Sequence, residues 1–267
     1  MKRSTKAILI IILAVVGIVA AISFIDAYFY TQSAHVTRDY RVVVTTNSTL
    51  ENVTLMLPLP SHHGRSEIGE AILAGEAYGI PAGWNCTLAE VDGGVMLRIV
   101  AEEIVPVYRN RIMPIPIEPG EEPAETPTFV YATAYSEETP ELQSIRFGVS
   151  IMDREQEINT RYPLGNESVL SPKRNLTRAE EHPTPGPEGR ESTASYYLFE
   201  CPVYAEYGTD PDTTVAIEIE YGGWNQWWVL GWSGNWFVER CRITLTGPEP
   251  GWQYASGSLR AGMGRYR

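Results

Sequence analysis

The chain has 267 residues, with 33 Asp and Glu against 21 Lys and Arg, so its formal net charge is −12 at pH 7. A nucleic-acid partner requires a basic face on the protein, and this acidic balance argues against one. Hydrophobic residues make up 43% of the chain, which is enough for one large β domain or two small ones.

Near the N-terminus an uncharged apolar segment covers residues 7–25. A helix of this length is about 28 Å long, close to the thickness of a bilayer's hydrocarbon core. Three cations lie in residues 1–6, and Asp26 follows the segment directly. The excess of cations on the N-terminal side predicts a cytoplasmic end at 1–6 and places residues 27–267 outside the cell. The predicted location is therefore the cell membrane, crossed once, with the C-terminal domain outside.

Two alternatives involve cleavage of this segment. A secretory signal peptide has a similar basic start and apolar run, and residues 19–21 offer a small-residue cleavage site. A pilin-like leader would be cut between Lys6 and Ala7. Three aromatic residues at 28–30 extend the apolar run, and aromatic residues suit the outer interface of a membrane span. The pattern favours an uncleaved anchor followed by a stalk at 26–36.

The remaining chain, residues 37–267, is predicted to be mostly β. Alternating β-branched, aromatic and polar residues indicate half-buried strands. A hairpin is expected from 41–46 and 52–57, and one short helix from 66–79, capped by Ser66. Further strands are predicted at 84–91, 95–101, 106–112, 128–135, 144–152, 195–206, 213–221, 236–246 and 253–260.

Two proline-rich charged stretches, 114–127 and 171–193, are predicted to be exposed loops. The many strands and the single short helix outside the apolar segment indicate an extracellular β-sandwich-like domain, or two small β domains.

Five N-x-Ser/Thr motifs indicate a glycosylated extracellular surface. About one such motif is expected by chance from the Asn, Ser and Thr content. In the strand at 52–57 the motif side chains point away from the apolar face, as a glycan requires. The candidate acceptors are Asn47, Asn52, Asn85, Asn166 and Asn175.

Five tryptophans within thirteen residues form the candidate binding site: Trp224, Trp227, Trp228, Trp232 and Trp236. Residues 233–235 (Ser-Gly-Asn) resemble a hairpin turn, which would place Trp232 and Trp236 in cross-strand contact. Three interpretations remain open: a packed minicore, a platform that stacks on sugars or docks a protein, and a contact with the membrane surface.

The three cysteines favour one disulfide. Cys201 and Cys241 each lie on the apolar face of a predicted strand, and an extracellular setting preserves such a bond. Cys86 is then the free thiol. Three buried, reduced thiols are the alternative.

No metal site or cofactor is expected. Adjacent His62 and His63 would point in opposite directions from an extended segment, so they do not converge on zinc with Glu67 and Glu70. Residues 206–212 contain three carboxylates that could bind calcium, but Asp-Pro-Asp is typical of a turn. The sequence has no nucleophile elbow, zinc-protease, P-loop or dinucleotide motif, so we do not expect an enzyme.

Two phrases, LENVTLMLPLP at 50–60 and WWVLGWSGNW at 227–236, together with the anchor and the acidic, sequon-rich body, resemble uncharacterised single-pass, N-glycosylated cell-surface proteins of archaea, especially methanogens. The resemblance implies a place in or beside the surface layer and brings no catalytic residues.

Three functions follow, in order of preference. The first is a structural or interaction protein of the cell surface, with a surface-layer protein, another envelope protein or a polysaccharide as partner. The second is a carbohydrate-binding module that uses residues 224–236. The third is a hydrolase of the cell envelope.

Overall fold

The computed structural model describes residues 2–112, 128–155, 158–164, 167–179, 194–248 and 251–266. The predicted loop at 114–127 lies outside these residues, as do residues 180–193 of the second predicted loop. Within the described residues the chain forms a long N-terminal helix, one short helix and fourteen strands. The prediction of a mostly β fold is confirmed.

The first helix, α1, is continuous from Lys2 to Ser33. Within its segment Ile10–Ser33, the most apolar window of 18 residues has a mean hydropathy of 2.7, and α1 is the one described helix long and apolar enough to cross a membrane. The expected stalk at 26–36 is helical up to Ser33, and the first strand begins at His35. The helix therefore leads almost directly into the β domain.

The elements that follow are, in chain order, β1 (His35–Thr46), β2 (Leu50–Ser61), α2 (Glu67–Leu73), β3 (Asn85–Val91), β4 (Gly94–Ile104), β5 (Val107–Arg109), β6 (Tyr131–Ala132), β7 (Glu141–Gln143), β8 (Ile145–Asp153), β9 (Val169–Ser171), β10 (Arg174–Ala179), β11 (Ser195–Gly208), β12 (Thr214–Trp228), β13 (Trp232–Thr246) and β14 (Gly251–Tyr266). The main sheet has the order β3-β4-β2-β11-β14-β13-β12-β1-β8, with β10 paired to β11 and β9 to β2. A small second sheet has the order β6-β5-β7.

The main sheet curls over one large core, and a small separate cluster of buried side chains lies beside the end of α1. Tyr40 on β1 donates a hydrogen bond to the Pro58 carbonyl on β2, 3.1 Å away, although several strands separate β1 from β2 within the sheet. At the sheet edges Tyr78 pairs with Gly148 on β8, and Trp84 contacts the Phe147 ring edge-on at 5.9 Å. Buried side chains from β1, β2, β4, β8 and β11–β14 form one contiguous core. This arrangement is β-sandwich-like.

The short helix is shorter than predicted. Ser66 caps α2 as expected, because its Oγ accepts the Gly69 N–H at 3.1 Å. The helix ends at Leu73 rather than near residue 79 because Gly75 takes a left-handed conformation with φ +81°.

The predicted loop at 171–193 is wrong over its first part. Residues 174–179 form β10, which pairs with β11. This hexapeptide contains no proline, whereas prolines stand at position 172 and again from 183 onward. The prediction rests on the proline content of the whole stretch 171–193, and it therefore misses the short proline-free edge strand within it.

The disulfide joins two strands that are not neighbours. Cys201 on β11 and Cys241 on β13 are bonded with their Cα atoms 6.9 Å apart, and Cys86 is the free cysteine. Because β14 lies between them and two strand spacings normally cover about 9.6 Å, the sheet bends sharply at β14. Gly257 lies opposite Phe199 and Cys241 at this bend, and a Cβ there would lie 2.3 Å from the Phe199 ring.

Candidate functional site

The tryptophan hairpin has a different turn from the predicted one. Its turn is residues 229–231, so Trp228 pairs with Trp232, and Trp224 with Trp236. The expected turn at 233–235 is wrong, and Trp232 and Trp236 lie on the same strand.

Two features explain why the turn is at 229–231 rather than at 233–235. Leu230 and Gly231 have positive φ values of 49° and 137°, which turn the chain early. Asn235 is needed in the interior, where its Oδ1 accepts from Asn225 Nδ2 at 2.7 Å and its own Nδ2 donates to the Asn159 carbonyl at 2.8 Å.

The register divides the five tryptophans between two faces. Cross-strand partners share a face, so Trp224, Trp228, Trp232 and Trp236 all lie on the side away from the core, which we call the outer face. Trp227 points inward, is 8% exposed and packs with Val36 and Ile158. The minicore interpretation therefore holds for Trp227 alone.

The four outer tryptophans form a stripe rather than a flat platform. The rings of Trp228 and Trp232 meet edge to face, with centroids 5.7 Å apart and planes at 85°. The Trp224 ring lies over Gly222, and the Trp236 ring lies over Gly262 on β14. Glycine at these positions leaves room for the indoles on the sheet surface. The perpendicular pair beside the turn, Trp228 and Trp232, does not offer the coplanar rings that stacking on a sugar chain favours.

Beside the stripe, a groove follows β14 along the outer face. The outward side chains of β14 here are the short Ser256 and Ser258, while longer side chains stand on the flanking strands. The resulting groove has a volume of about 610 Å³. Its outward-pointing lining side chains are Tyr196 and Leu198 from β11, Glu218 and Glu220 from β12, Arg240 and Arg242 from β13, and the two serines.

Two cross-strand ion pairs border the groove. Arg240 Nε lies 2.6 Å from Glu220 Oε2, and Arg242 lies 2.8 Å from Glu218. The arginine side chains are 61% and 70% exposed. Such exposed pairs contribute about 0–1 kcal/mol to stability. The charged groups can therefore exchange partners with a ligand at small cost.

A second aromatic group, which we call the distal aromatic patch, lies at the other end of the groove. Trp252 and Tyr254 precede Ser256 on the same face of β14 and are 48% and 49% exposed. Tyr204 on β11 meets Trp252 edge-on at 5.5 Å, and the Arg174 guanidinium lies 5.2 Å from the Tyr254 ring centre. The groove thus has aromatic side chains at both ends. The alternation Trp252, Tyr254, Ser256 was visible in the sequence, but its flanking strands were not.

Inside the domain a buried ion pair holds the segment between β9 and β10. Glu239 is fully buried, accepts the Leu170 N–H at 2.6 Å and pairs with Lys173. Burial raises the pKa of Glu239, and the ammonium of Lys173 opposes this rise. Burial also lowers the pKa of Lys173, against the attraction of Glu239. The Lys173 ammonium lies 4.8 Å from the Phe199 ring centre.

A second buried cation lies nearby on β1. Arg38 is 5% exposed and binds two carboxylates, Glu167 and Glu67, each at 2.9 Å. Both carboxylates, like Glu239, contribute to the raised pKa of the buried Tyr221 hydroxyl, whose largest cause is burial itself. These contacts tie α2 and the segment before β9 to the sheet, so we assign the buried charges a structural role.

The residues considered as metal ligands do not form one cluster. The expected opposite directions of His62 and His63 are wrong: both are exposed in a turn where His63 has a φ of 50°, and their ring centres lie 4.0 Å apart. Glu67 and Glu70 bind arginines instead, Arg38 and Arg65 respectively. The Asp210 carbonyl accepts the Thr213 N–H in a turn, and Glu206 accepts a hydrogen bond from Tyr204. Among the described residues, no group of three or more His, Cys, Asp or Glu side chains could hold a metal ion.

Four of the five candidate glycosylation sites are described, and all four are exposed: Asn47, Asn52, Asn85 and Asn175. Asn166 lies outside the described residues. The Asn175 Nδ2, the atom that would carry a glycan, donates to Glu200 at 2.7 Å. A glycan would replace one of the two Nδ2 hydrogens and leave the other to donate to Glu200.

Comparison with known proteins gives no match. No protein-family model matches the chain, and no curated protein or solved structure is significantly similar to it. The function must therefore be inferred from the side chains of the outer face and from α1.

Proposed function

We propose that the chain is a single-pass membrane protein that displays a glycosylated β domain outside the cell and binds another envelope component through the outer face of its sheet. The partner is a surface-layer protein, another envelope protein or a polysaccharide. The groove along β14, with exposed aromatic side chains at both ends, is the observation that carries this proposal. The resemblance to archaeal surface proteins supports the same setting.

The anchor is supported by the exposure of α1. None of the most apolar window of Ile10–Ser33 is buried against the domain. Side chains such as Ile10, Leu13 and Phe24 are 62–74% exposed, as an apolar helix covered by lipid would be. The cations at 1–6 support a cytoplasmic N-terminus. The exposed acceptor asparagines support an extracellular domain.

The binding role is supported by the composition of the groove. Tyrosine, tryptophan and arginine are the residues that contribute most to protein interfaces, and all three line or flank this surface. The strands beneath it carry the core and the disulfide, so the surface is held on rigid elements. A partner would meet a preformed site and lose little ordering entropy.

Carbohydrate binding is the second candidate, favoured by the distal aromatic patch. Sugar rings stack on exposed aromatic faces, while their hydroxyls bind charged and hydroxyl side chains of the kind that line the groove. Trp252 and Tyr254 are adjacent on one face and about half exposed. The site for this candidate is therefore the distal aromatic patch with the groove, rather than residues 224–236 alone.

Filling the groove tests the proposal. Ser258→Trp places a large ring between Leu198 and Arg240 without touching the core. Glu103→Trp is the matched control, because Glu103 is exposed near the end of β4, in the row of Glu51 and Gly208, beyond the distal aromatic patch and the groove. Detergent-solubilised full-length protein is immobilised and incubated separately with envelope polysaccharide and with extracted envelope proteins from the source cells.

We expect the wild type and Glu103→Trp to retain one of the two fractions and Ser258→Trp to lose it. Retained polysaccharide assigns carbohydrate binding, whereas a retained protein assigns the surface-protein role. Equal retention by wild type and Ser258→Trp, or no retention by the wild type, contradicts the proposal.

A further inference from the structure

The turn of the tryptophan hairpin is unusually apolar for the tip of an exposed loop. Leu230 is 79% exposed, more than any other large hydrophobic side chain whose exposure the structure describes, including Phe24 of α1 at 74%. Val229 and Trp232 are 42% and 41% exposed. We call residues 228–232 the hairpin tip. Polar residues or glycine would serve such a turn without exposing apolar surface to water.

The backbone conformation of Leu230 is also unusual for a leucine. Its φ of 49° lies in the left-handed region, where asparagine and glycine are usual and a bulky side chain is disfavoured. The backbone conformation therefore does not explain why a leucine stands at this position. We look for the explanation in the surroundings of its exposed side chain.

The hairpin tip lies against the outer end of α1. The Trp228 N–H donates to Ser33 Oγ at 2.8 Å, which joins the last residue of the helix to the last residue of β12. Below it, Trp227 and Val36 pack with Tyr30 and Ala34.

The strand direction carries the tip back along the helix. β1 leaves α1 at His35, and β12 runs antiparallel to it with Gln226 opposite His35. Leu230 lies four residues beyond Gln226, so the tip extends up to about 13 Å past His35, at roughly 3.3 Å per residue. The same distance along α1 covers about nine residues. The hairpin tip can thus reach the level of Tyr28 and Phe29, which are 57% and 47% exposed.

The stretch around the tip is free of charge. Residues 221–238 contain no Asp, Glu, Lys or Arg, in a chain that is 20% charged. Inserting an acidic surface into a headgroup layer carries a desolvation cost, and this stretch avoids it. Tryptophan is enriched where a protein crosses the boundary between hydrocarbon and headgroups. The tip combines two tryptophans with two aliphatic side chains at its apex.

We propose that the hairpin tip inserts into the outer interface of the membrane that α1 spans. This inference rests on the proposed anchoring through α1. Trp228 and Trp232 occupy the headgroup level beside Tyr28 and Phe29, and Leu230 reaches the edge of the hydrocarbon. The tip carries no charged side chain that would bind a sugar, and its contact with α1 places it beside lipid, so a bilayer is the occupant that the observations favour.

Two attachments fix the orientation of the domain. With the hairpin tip at the membrane, β14 runs from its distal aromatic patch toward the bilayer. Trp252 and Gly262 are ten residues apart on this strand, a distance of about 33 Å. The distal aromatic patch is thereby presented to the envelope, and the tryptophan stripe stays near the lipid.

The test uses full-length protein in phosphatidylcholine nanodiscs and a fluorophore sensitive to water, attached to single cysteines. Each variant carries Cys86→Ser, because Cys86 is the free thiol and the other two are in the disulfide. Leu230→Cys reports the tip. Asp212→Cys is the matched control at an exposed turn preceding β12, at the opposite end of that strand. Phe24→Cys reports the anchor. A lipid spin-labelled near the glycerol backbone serves as the quencher.

We expect the label at residue 230 to emit at shorter wavelength than the label at 212 and to be quenched several-fold more, approaching the label at 24. Strong quenching at 24 with water-like emission at 230 overturns the hairpin contact and leaves the anchored protein intact. Absence of quenching at 24 overturns the anchor and with it this inference. If added envelope polysaccharide or protein, rather than lipid, shields residue 230, the tip is a binding site of another kind and the proposal fails.

Discussion

Replacing Lys173 by methionine should destabilise the domain in a way that depends on pH. Glu239 is fully buried and has two partners in the structure, the Leu170 N–H and the Lys173 ammonium. Lys173→Met keeps an apolar side chain of similar length and removes the ammonium, which pairs with Glu239 and lies 4.8 Å from the Phe199 ring centre. The carboxylate is then buried without a counterion.

The size of the stability loss follows from protonation of Glu239, because binding a proton is the least costly way to remove its unpaired buried charge. With an unfolded pKa near 4.3, protonation at pH 7 costs about 3.7 kcal/mol, so the loss of stability should approach but not exceed roughly that value. Breaking a buried pair by removing one partner costs about 3–5 kcal/mol in other proteins, which agrees.

The sign of the pH dependence follows from the direction of the pKa shift. Burial raises the folded pKa of Glu239, and removing Lys173 raises it further. A raised carboxyl pKa contributes stability at and below the unfolded pKa that is lost as the pH rises through the folded pKa. The variant's deficit relative to wild type should therefore shrink by up to about 2 kcal/mol between pH 7 and pH 5.5.

Urea unfolding of the full-length protein in detergent, followed by tryptophan fluorescence, measures this deficit at both pH values. The double variant Lys173→Met with Glu239→Gln is the control, because it has no charge to bury and should be less destabilised at pH 7. A deficit that is the same at both pH values, or larger in the double variant, would refute the reasoning.

Three further outcomes are expected. Ser66→Ala removes the cap of α2 and should cost about 1 kcal/mol in urea unfolding; no loss would mean that the observed Ser66 hydrogen bond does not stabilise the helix. Gly257→Val drives a Cβ to 2.3 Å from the Phe199 ring, and a loss of about 1–3 kcal/mol or more is expected from overpacking; wild-type stability would contradict the close packing at the bend. Asn52→Gln should lower the intact mass of protein from the source cells by one glycan, whereas an unchanged mass shows that Asn52 carries none.

Local patterns predicted most of the strands because their faces differ. β1 alternates buried and partly exposed side chains along nearly its whole length, so its sequence alone, with a period of two, predicts a strand. The helix cap at Ser66 could also be predicted from the sequence, since it depends on residues three positions apart. The length of α2 was not, because Gly75 competes with the apolar periodicity.

Long-range pairing set the limits of the site prediction. Ser-Gly-Asn is a good turn signal, but the Asn235 amide is used by Asn225 and Asn159 in the interior, and Asn159 lies 76 residues away in the chain. The turn is at 229–231 rather than at the predicted 233–235, and its position determines which tryptophans share a face. The groove depends on β11 flanking β14, and the buried pair joins residues 66 positions apart. No local pattern contains either contact.

Photo-crosslinking in intact cells tests the binding role of the outer face most directly. A photoreactive phenylalanine derivative replaces Leu198, which lines the groove and is 44% exposed, and in the control protein it replaces the exposed Glu103 near the end of β4. Irradiation should join the Leu198 variant to an envelope protein or polysaccharide of discrete size and leave the Glu103 variant unmodified. Equal labelling of both variants, or adducts from neither, would contradict a binding surface along β14.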